Sequence, residues 1–265
     1  MMDKMILGRY IPGNSWLHSI DPRAKITAVM YFIVIVFLAN NWLTYLLLFV
    51  YVLYLVFSSK VPFMFFVKGL QPIMVLILLT LLLQVFFTQG GETLLALGPI
   101  KITTLGLLNG IKIFCRFVLI VFMTTLLTLT TSPIELTDGL EKILMPFRVL
   151  RLPVHELALM LSISLRFIPT LMDETEKILK AQKARGVDFT SGKIMERIKA
   201  IVPLLIPLFI SAFKRAEDLA IAMEARGYRG GQGRTKFRLL KWRLRDTLLL
   251  ASLVILTGLL WFFRN

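Results

Sequence analysis

The sequence contains very few of the side chains that build disulfides and metal centres. Among its 265 residues there are one cysteine, Cys115, and two histidines, His18 and His155. A single cysteine excludes an intrachain disulfide, and two distant histidines without a cysteine or carboxylate pattern predict no metal site. We expect Cys115 to be an ordinary packed or lipid-facing side chain.

Charged residues are absent from two long parts of the chain, residues 26–57 and 69–91. The chain as a whole is 57% hydrophobic, and its mean hydropathy is +0.75. Soluble globular domains are less apolar than this. Uncharged apolar stretches of this length exclude an ordinary soluble domain and predict membrane-spanning helices.

Acidic residues are also scarce, with 16 Asp and Glu against 31 Lys and Arg. The basic excess is not spread evenly, because residues 132–243 hold 20 of the 31 basic side chains. Basic residues concentrated beside membrane spans follow the positive-inside rule, so they indicate a cytoplasmic region rather than a nucleic-acid surface. The first 25 residues are mixed polar, and we expect no cleavable signal peptide.

The pattern predicts an all-α membrane protein with about five transmembrane helices and a cytoplasmic or interfacial coupling region of long, proline-bent helices. A bend is expected near Pro72, and residues 88–105 are expected to form a loop. The predicted spans are about 22–39, 43–57, 70–87, 106–131 and 244–263. The chain therefore divides into a four-span region (1–131), a coupling region (132–243) and a C-terminal transmembrane helix (244–265), with the N-terminus inside and the C-terminus outside the cell membrane.

Three helices are predicted between the fourth and fifth spans. Ser132, Pro133 and Glu135 form a capping box with proline at the first helical position, so a helix begins there and runs to about Leu144. Longer helices follow over 153–185 and 191–226, with bends at Pro169, Pro203 and Pro207. Their apolar runs, 157–165 and 201–213, are shorter than a membrane span, which favours interfacial helices.

The two long helices end in the same phrase, A-x-x-A-R-G, repeated 41 residues apart. Its final residues are Ala184, Arg185 and Gly186 in one copy and Ala225, Arg226 and Gly227 in the other. Arginine near a helix C-terminus and a following glycine are typical of ordinary capping. Two matching copies in a membrane protein also favour a second interpretation, two equivalent binding sites on a partner.

Signals for catalysis are nearly absent. Glu174 and Glu176 lie with Asp173 on one helix, which predicts an ordinary solvated face. Lys112 and Arg116 lie one turn apart, and we expect both to snorkel to the outer surface. The chain is therefore expected not to be an enzyme.

Several motifs resemble the T component of energy-coupling factor (ECF) transporters, the EcfT family, over essentially the whole chain. The paired Ala-Arg-Gly ends are the most specific of them. The other matching residues are Asp21, Pro22, Arg23, Lys25, Ser132, Pro133, Glu135, Arg166 and Pro169.

The resemblance implies a non-catalytic scaffold that joins two ABC-type ATPases, identical or paralogous, to a substrate-binding S component for a vitamin or a metal ion. In that family the Ala-Arg-Gly helix ends insert into grooves on the ATPases, and ATPase closure moves the helices to release substrate inside. The chain itself would bind no cofactor, because ATP and magnesium belong to the ATPases.

Apolar stripes on the two long helices need a cover, for which lipid, the protein's own spans or another membrane protein are candidates. The resemblance assigns part of this surface to the S component. The residues expected there are Leu157, Met160, Leu161, Leu204, Leu205, Leu208 and Phe209.

Two other functions remain open from the sequence. A self-contained channel or secondary transporter would need ionisable residues at mid-membrane and repeated halves, and the first three spans contain little beyond Gln71 and Gln84. A membrane enzyme acting on an anionic head group would need a clustered His, Asp or Glu constellation, and none stands out.

Overall fold

The structure is a computed structural model, and it describes residues 10–88, 90–97, 100–146, 153–187, 189, 194–230 and 239–264. Helices dominate this part of the chain, which confirms an all-α membrane protein. The elements are α1 (Pro22–Val36), α2 (Trp42–Ser58), α3 (Phe63–Leu70), α4 (Met74–Phe87), β1 (Thr93–Leu97), β2 (Ile100–Thr103), α5 (Thr104–Thr130), α6 (Pro133–Leu144), α7 (Val154–Ala184), α8 (Ile194–Ala225) and α9 (Leu244–Phe262).

The chain forms two compact units, residues 1–143 with 240–265, and residues 144–239. In the first unit the long helix α5 is central, because α1, α2, α3 and α4 all pack against it, while α9 packs on α1. The face of α1 that is buried follows helical spacing, with Ala24, Ala28, Phe32 and Ile35 in the core. This unit therefore has a single core made by the apolar helices.

Helices α4 and α5 approach closely because two glycines face α4. A Cβ atom at Gly106 would lie 3.1 Å from the carbonyl oxygen of Val85, and one at Gly110 would lie 3.4 Å from the Val85 side chain. Small residues at helix contacts are a common means of close packing in membrane proteins. The pair α4–α5 is thus held by backbone proximity as well as by side chains.

The third predicted span is broken near Pro72, as the sequence indicates. Helices α3 and α4 meet at a 59° bend across residues 71–73. Proline lacks a backbone N–H and disfavours helix in the residue before it, which accounts for the interruption. The helical part begins earlier than predicted, at Phe63 instead of near Leu70.

The predicted loop at 88–105 contains a short antiparallel hairpin. Strand β1 pairs with β2 so that Thr93 lies opposite Thr103 and Leu97 lies opposite Ile100. The glycines and proline of this segment indicate turns, and they concealed the two short strands between them.

In the second unit, α7 and α8 pack against each other. Both helices continue through their internal prolines, Pro169 in α7 and Pro203 and Pro207 in α8. The predicted helix ends agree with the structure within a residue or two, except that the predicted start of α8 at Ser191 lies outside the described residues.

By length and composition, three of the described helices could cross a membrane: α5, α7 and α9, with the bent pair α3–α4 as a fourth. The five predicted spans differ from this set at three helices, because α1 and α2 were predicted to span and α7 was not. Helices α1 and α2 have 15 and 17 residues, which is short for a span. Helix α7 qualifies, although its apolar window is the least hydrophobic of the three.

Candidate functional site

The two Ala-Arg-Gly ends fold into the same helix terminator. At the end of α7, Val187 donates its backbone N–H to Gln182 (3.1 Å) and Gly186 donates to Lys183 (3.0 Å). At the end of α8, Tyr228 donates to Met223 (3.0 Å) and Gly227 to Glu224 (2.8 Å). This pair of bonds defines a Schellman motif. The repeat in sequence is therefore a repeat in three dimensions.

Glycine is required at both ends because the backbone there is left-handed. Gly186 has φ +86° and Gly227 has φ +73°, values at which a side chain is strained. A Cβ atom at either position would meet nothing within 4 Å. The glycines are thus needed for the turn of the chain, and the space around them is open to another molecule.

Arg185 and Arg226 are exposed at these two ends. Neither guanidinium makes an ion pair or a side-chain hydrogen bond with any residue that the structure describes. Each presents five N–H donors and a permanent charge, which suit carboxylates on a partner. We call the segments 184–186 and 225–227 the two tips.

The tips lie at opposite ends of the α7–α8 pair. Glu174 of α7 contacts Ser211 of α8, whereas Gln182 contacts Pro203, so the two helices run antiparallel. Arg226 is 23 residues beyond Pro203, a distance on the order of 35 Å along a straight helix. The two tips are therefore well separated, as two binding sites on different subunits would require.

Five of the motif residues lie with three other residues in a polar cluster of the first unit, which we call the helix junction. The motif residues are Asp21, Arg23, Lys25, Ser132 and Glu135, and the others are Thr130, Thr131 and Asp246. Asp21 caps α1 by accepting the backbone N–H of Arg23 (2.9 Å), and it also binds the Arg23 guanidinium through both carboxylate oxygens (2.9 and 3.0 Å). The cap and the bidentate pair fix the start of α1.

Asp246 of α9 contacts the start of α1 in the helix junction. Only 1% of Asp246 is exposed, and its carboxylate accepts the backbone N–H groups of Asp21 (2.8 Å) and Arg243 (2.6 Å). One carboxylate therefore joins the N-terminal ends of α1 and α9. Asp246 was not predicted from the sequence, although an acidic residue in the first turn of an apolar helix is a recognisable signal.

Lys25 joins α1 to the C-terminal end of α5. Its buried ammonium donates to the carbonyl oxygen of Thr130 (2.9 Å) and to the hydroxyl of Thr131 (3.0 Å). Carbonyl groups at a helix C-terminus have no partner within the helix, so a cation placed there satisfies them and complements the dipole.

The predicted capping box at the start of α6 is present. The Ser132 hydroxyl accepts a hydrogen bond from the backbone N–H of Glu135 (3.3 Å), and the Glu135 carboxylate accepts one from the backbone N–H of Ser132 (3.0 Å). Gly139 of α6 approaches α1, where an added Cβ atom would lie 3.1 Å from Pro22. The two predicted motifs at 21–25 and 132–135 are thus neighbours in space. Arg166 and Pro169 are placed elsewhere, exposed on α7.

His18 has a specific structural role near the helix junction. Its Nε2 lies 3.1 Å from the carbonyl oxygen of Ile11, and its Nδ1 lies 2.6 Å from the Ser15 hydroxyl. Since a carbonyl can only accept, Nε2 carries the proton and Nδ1 accepts from Ser15. Burial lowers the pKa of His18, so this neutral form is favoured. The sequence predicted only that His18 belongs to no metal site, so this structural role was not expected.

Two charged side chains, Arg116 and Glu174, make contacts that the sequence does not predict. Arg116 was expected to snorkel, but it is half-buried, donates to the Tyr45 hydroxyl (3.2 Å) and lies 4.8 Å from the centre of the Phe37 ring. Glu174 was expected on a solvated face, but it bonds to Ser211 and Arg215 of α8. In both cases the partner is distant in sequence, so no local pattern could indicate it.

The predicted apolar surface on α7 and α8 is largely uncovered. Five of its seven residues are exposed, and Leu204 and Leu208 are half-buried. The exposed residues are Leu157, Met160, Leu161, Leu205 and Phe209. Further apolar side chains on α8, including Ile206, Ile210 and Phe213, are also exposed. A surface of this kind requires a cover, for which lipid, the protein's own spans and another protein are candidates.

Comparison with known proteins gives consistent matches over the whole length. A family described as "Cobalt transport protein" (CbiQ) matches residues 13–237. The energy-coupling factor transporter transmembrane protein EcfT of Listeria innocua serovar 6a is 81% identical over 265 residues, all of both chains. EcfT of Bacillus subtilis is 58% identical over 264 residues, again 100% of both chains. EcfT 1 of Listeria monocytogenes serotype 1/2a is 51% identical over 258 residues, 97% of each.

Proposed function

Because the chain belongs to the EcfT family of energy-coupling factor transporter transmembrane proteins, we propose that it is the coupling subunit of an ATP-driven importer. It holds two ABC-type ATPases through its two tips and transmits their motion to a substrate-binding S component. It performs no catalysis and binds no cofactor, since ATP and magnesium belong to the ATPases. The substrate, a vitamin or a metal ion, is selected by the S component.

The observation that carries this proposal is the pair of matching tips. Arg185 and Arg226 lie within matching helix terminators, are exposed, and have no ion-pair partner among the described residues. An arginine that only complements a helix dipole would not require a matching terminator in a second helix, exposure to solvent or the lack of an ion-pair partner. The small flanking residues Ala184 and Ala225 allow the helix end to enter a groove. Two equivalent ATPases would provide two equivalent grooves.

Isolation of the native complex tests the proposal directly. An affinity tag on this chain should recover two ATPase subunits and an S component from membranes solubilised in mild detergent. Recovery of the chain without any ATPase, while it stays folded and monodisperse, would contradict the proposal and favour a self-contained transporter.

Residues 132–243 and the N-terminus are proposed to lie in the cytoplasm, and the C-terminus outside, as the distribution of basic residues indicates. Single cysteines replacing Ser58, Ser191 or Gly231 in a Cys115→Ser background should be protected from an impermeant thiol reagent added to intact cells. Cysteines replacing Gly90 or Asn265 should react. Ser191, Gly231 and Asn265 lie outside the described residues.

Labelling of the cysteine at position 231 from outside the cell would overturn the five-span arrangement. Helix α7 is long and apolar enough to span, and position 191 follows it in the chain. The cysteine at position 191 therefore tests whether α7 crosses the membrane. A reactive cysteine at that position would indicate that α7 crosses the membrane.

The apolar faces of α7 and α8 are proposed to bind the S component. Leu161→Asp or Leu208→Asp should reduce recovery of the S component, because a carboxylate cannot be desolvated against an apolar partner. Binding of the ATPases through Arg185 and Arg226 should remain. Co-purification of all subunits with each variant measures both effects. Full recovery of the S component would show that lipid or the protein's own spans cover these faces.

A further inference from the structure

Between the two tips, α7 and α8 are joined by a three-residue polar contact, which we call the α7–α8 bridge: Glu174, Ser211 and Arg215. The Ser211 hydroxyl donates to Glu174 Oε1 (2.6 Å), and Arg215 Nη2 donates to Glu174 Oε2 (3.2 Å). Arg215 Nε also lies 3.4 Å from the Ser211 hydroxyl. Both oxygens of one carboxylate are thus used by the facing helix.

The α7–α8 bridge differs from the other described ion pair of this unit. Side-chain exposure is 38% for Arg215 and 23% for Glu174, whereas Lys180 and Glu176 are 73% and 55% exposed. The Glu176–Lys180 pair also lies within one helix. A half-shielded pair between helices restrains their relative position, while an exposed pair within a helix contributes little.

The position of the α7–α8 bridge relates it to both tips. Arg185 is 11 residues after Glu174, and Arg226 is 11 residues after Arg215. Each segment is therefore about 16 Å long as a helix. Neither segment contains a proline, while Pro169 and Pro207 lie just before the bridge on their own helices. Two proline-free segments of equal length therefore run from the α7–α8 bridge to the two tips. Gln182 adds a second polar contact between the helices near the α7 tip, 3.4 Å from the carbonyl oxygen of Pro203.

We propose that Glu174, Ser211 and Arg215 are positioning residues that form the pivot between the two tips. This inference rests on the proposed function in one respect, namely that the ATPases supply the force on the tips. The bridge fixes the tip-to-tip distance, because the proline-free segments transmit its geometry to Arg185 and Arg226. Movement of one tip is transmitted to the other through the α7–α8 bridge. Each helix bends at the prolines that precede the bridge, which are Pro169 in α7 and Pro203 and Pro207 in α8.

A distance measurement on the full-length chain tests the pivot. Spin labels are attached at Lys183→Cys and Glu224→Cys, which occupy the same place in the two helix terminators, in a Cys115→Ser background. Pulsed electron paramagnetic resonance then gives the distribution of tip-to-tip distances. Arg215→Gln should broaden and shift this distribution. Exchange of the charges, by Glu174→Arg with Arg215→Glu, should restore a narrow one, because Glu at 215 lies one turn from Ser211 and can still accept its hydroxyl.

The control removes the other ion pair of the same helix. Lys180→Gln abolishes the exposed pair with Glu176 and should leave the distribution unchanged. In the assembled transporter, Arg215→Gln should retain both ATPases but lower substrate uptake per ATP hydrolysed by about tenfold. The charge exchange should recover uptake, whereas a bridge that merely stabilises the fold would affect assembly and uptake together.

The results separate failure of the pivot from failure of the proposed function. A distance distribution that is the same in Arg215→Gln, the charge exchange and the wild type overturns the pivot, whether or not ATPases bind. Loss of ATPase binding by the wild-type chain overturns the proposed function, while the distance measurement on the isolated chain still decides the pivot. If Arg215→Gln does not fold, Ser211→Ala and the charge exchange supply the same comparison.

Discussion

Replacing both Arg185 and Arg226 by glutamate is expected to abolish assembly with the ATPases. Each single substitution should weaken docking by roughly 2–4 kcal/mol, the cost of removing one partner of a buried, hydrogen-bonded charge pair at an interface. Arg185→Lys should also be impaired, because lysine cannot form the bidentate fork of a guanidinium. Pull-down of the ATPases by tagged variants measures the effect.

The matched control makes the same change of charge away from the tips. Lys180→Glu combined with Lys214→Glu alters exposed residues of the same two helices, so assembly should survive. If the control fails as completely as the tip variant, general electrostatic attraction holds the complex. If the tip variant recovers ATPases at the wild-type level, the tips are ordinary helix caps.

The second large effect is expected at the helix junction. Asp246→Ala removes an acceptor for two backbone N–H groups, those of Asp21 and Arg243. A buried unsatisfied donor costs about 1–3 kcal/mol, so the substitution should destabilise the protein by roughly 2–4 kcal/mol. Thermal unfolding of the purified protein in detergent measures the loss. Asp246→Asn, which keeps one acceptor oxygen, should lie between Asp246→Ala and the wild type.

The neighbouring residue supplies the control for this experiment. Thr247 accepts a hydrogen bond from Trp242 at an exposed position (2.9 Å), and Thr247→Ala should cost little because water replaces the bond. Equal stability of Asp246→Ala and Thr247→Ala would show that the helix junction does not hold α1 and α9 together.

Local chemistry made much of the architecture predictable. Asp21 with Pro22, and Ser132 with Pro133 and Glu135, specify where α1 and α6 begin, and both starts are confirmed. The glycines after Arg185 and Arg226 likewise specify the ends of α7 and α8, because a left-handed residue is needed there. Signals of this kind lie within a few residues of the structure that they determine.

The remaining features depend on partners that are distant in sequence. Lys25 binds Thr130, and Asp246 binds the backbone of Asp21, across separations of 105 and 225 residues. Glu174 was wrongly interpreted as a solvated surface charge because its partner Arg215 lies 41 residues away. The hairpin β1–β2 was missed because its strands have only five and four residues and lie among glycines and a proline that indicate turns.

Site-specific photo-crosslinking identifies the proteins that contact the two tips in native membranes. A benzoylphenylalanine replaces Val187 or Tyr228, the matching residues just past Gly186 and Gly227, and a third variant carries it at Phe262 near the end of α9. Irradiation of native membranes should join an ATPase subunit to the chain from both tip positions and not from position 262. Adducts that contain no ATPase at either tip, in membranes where the transporter is active, would contradict the account.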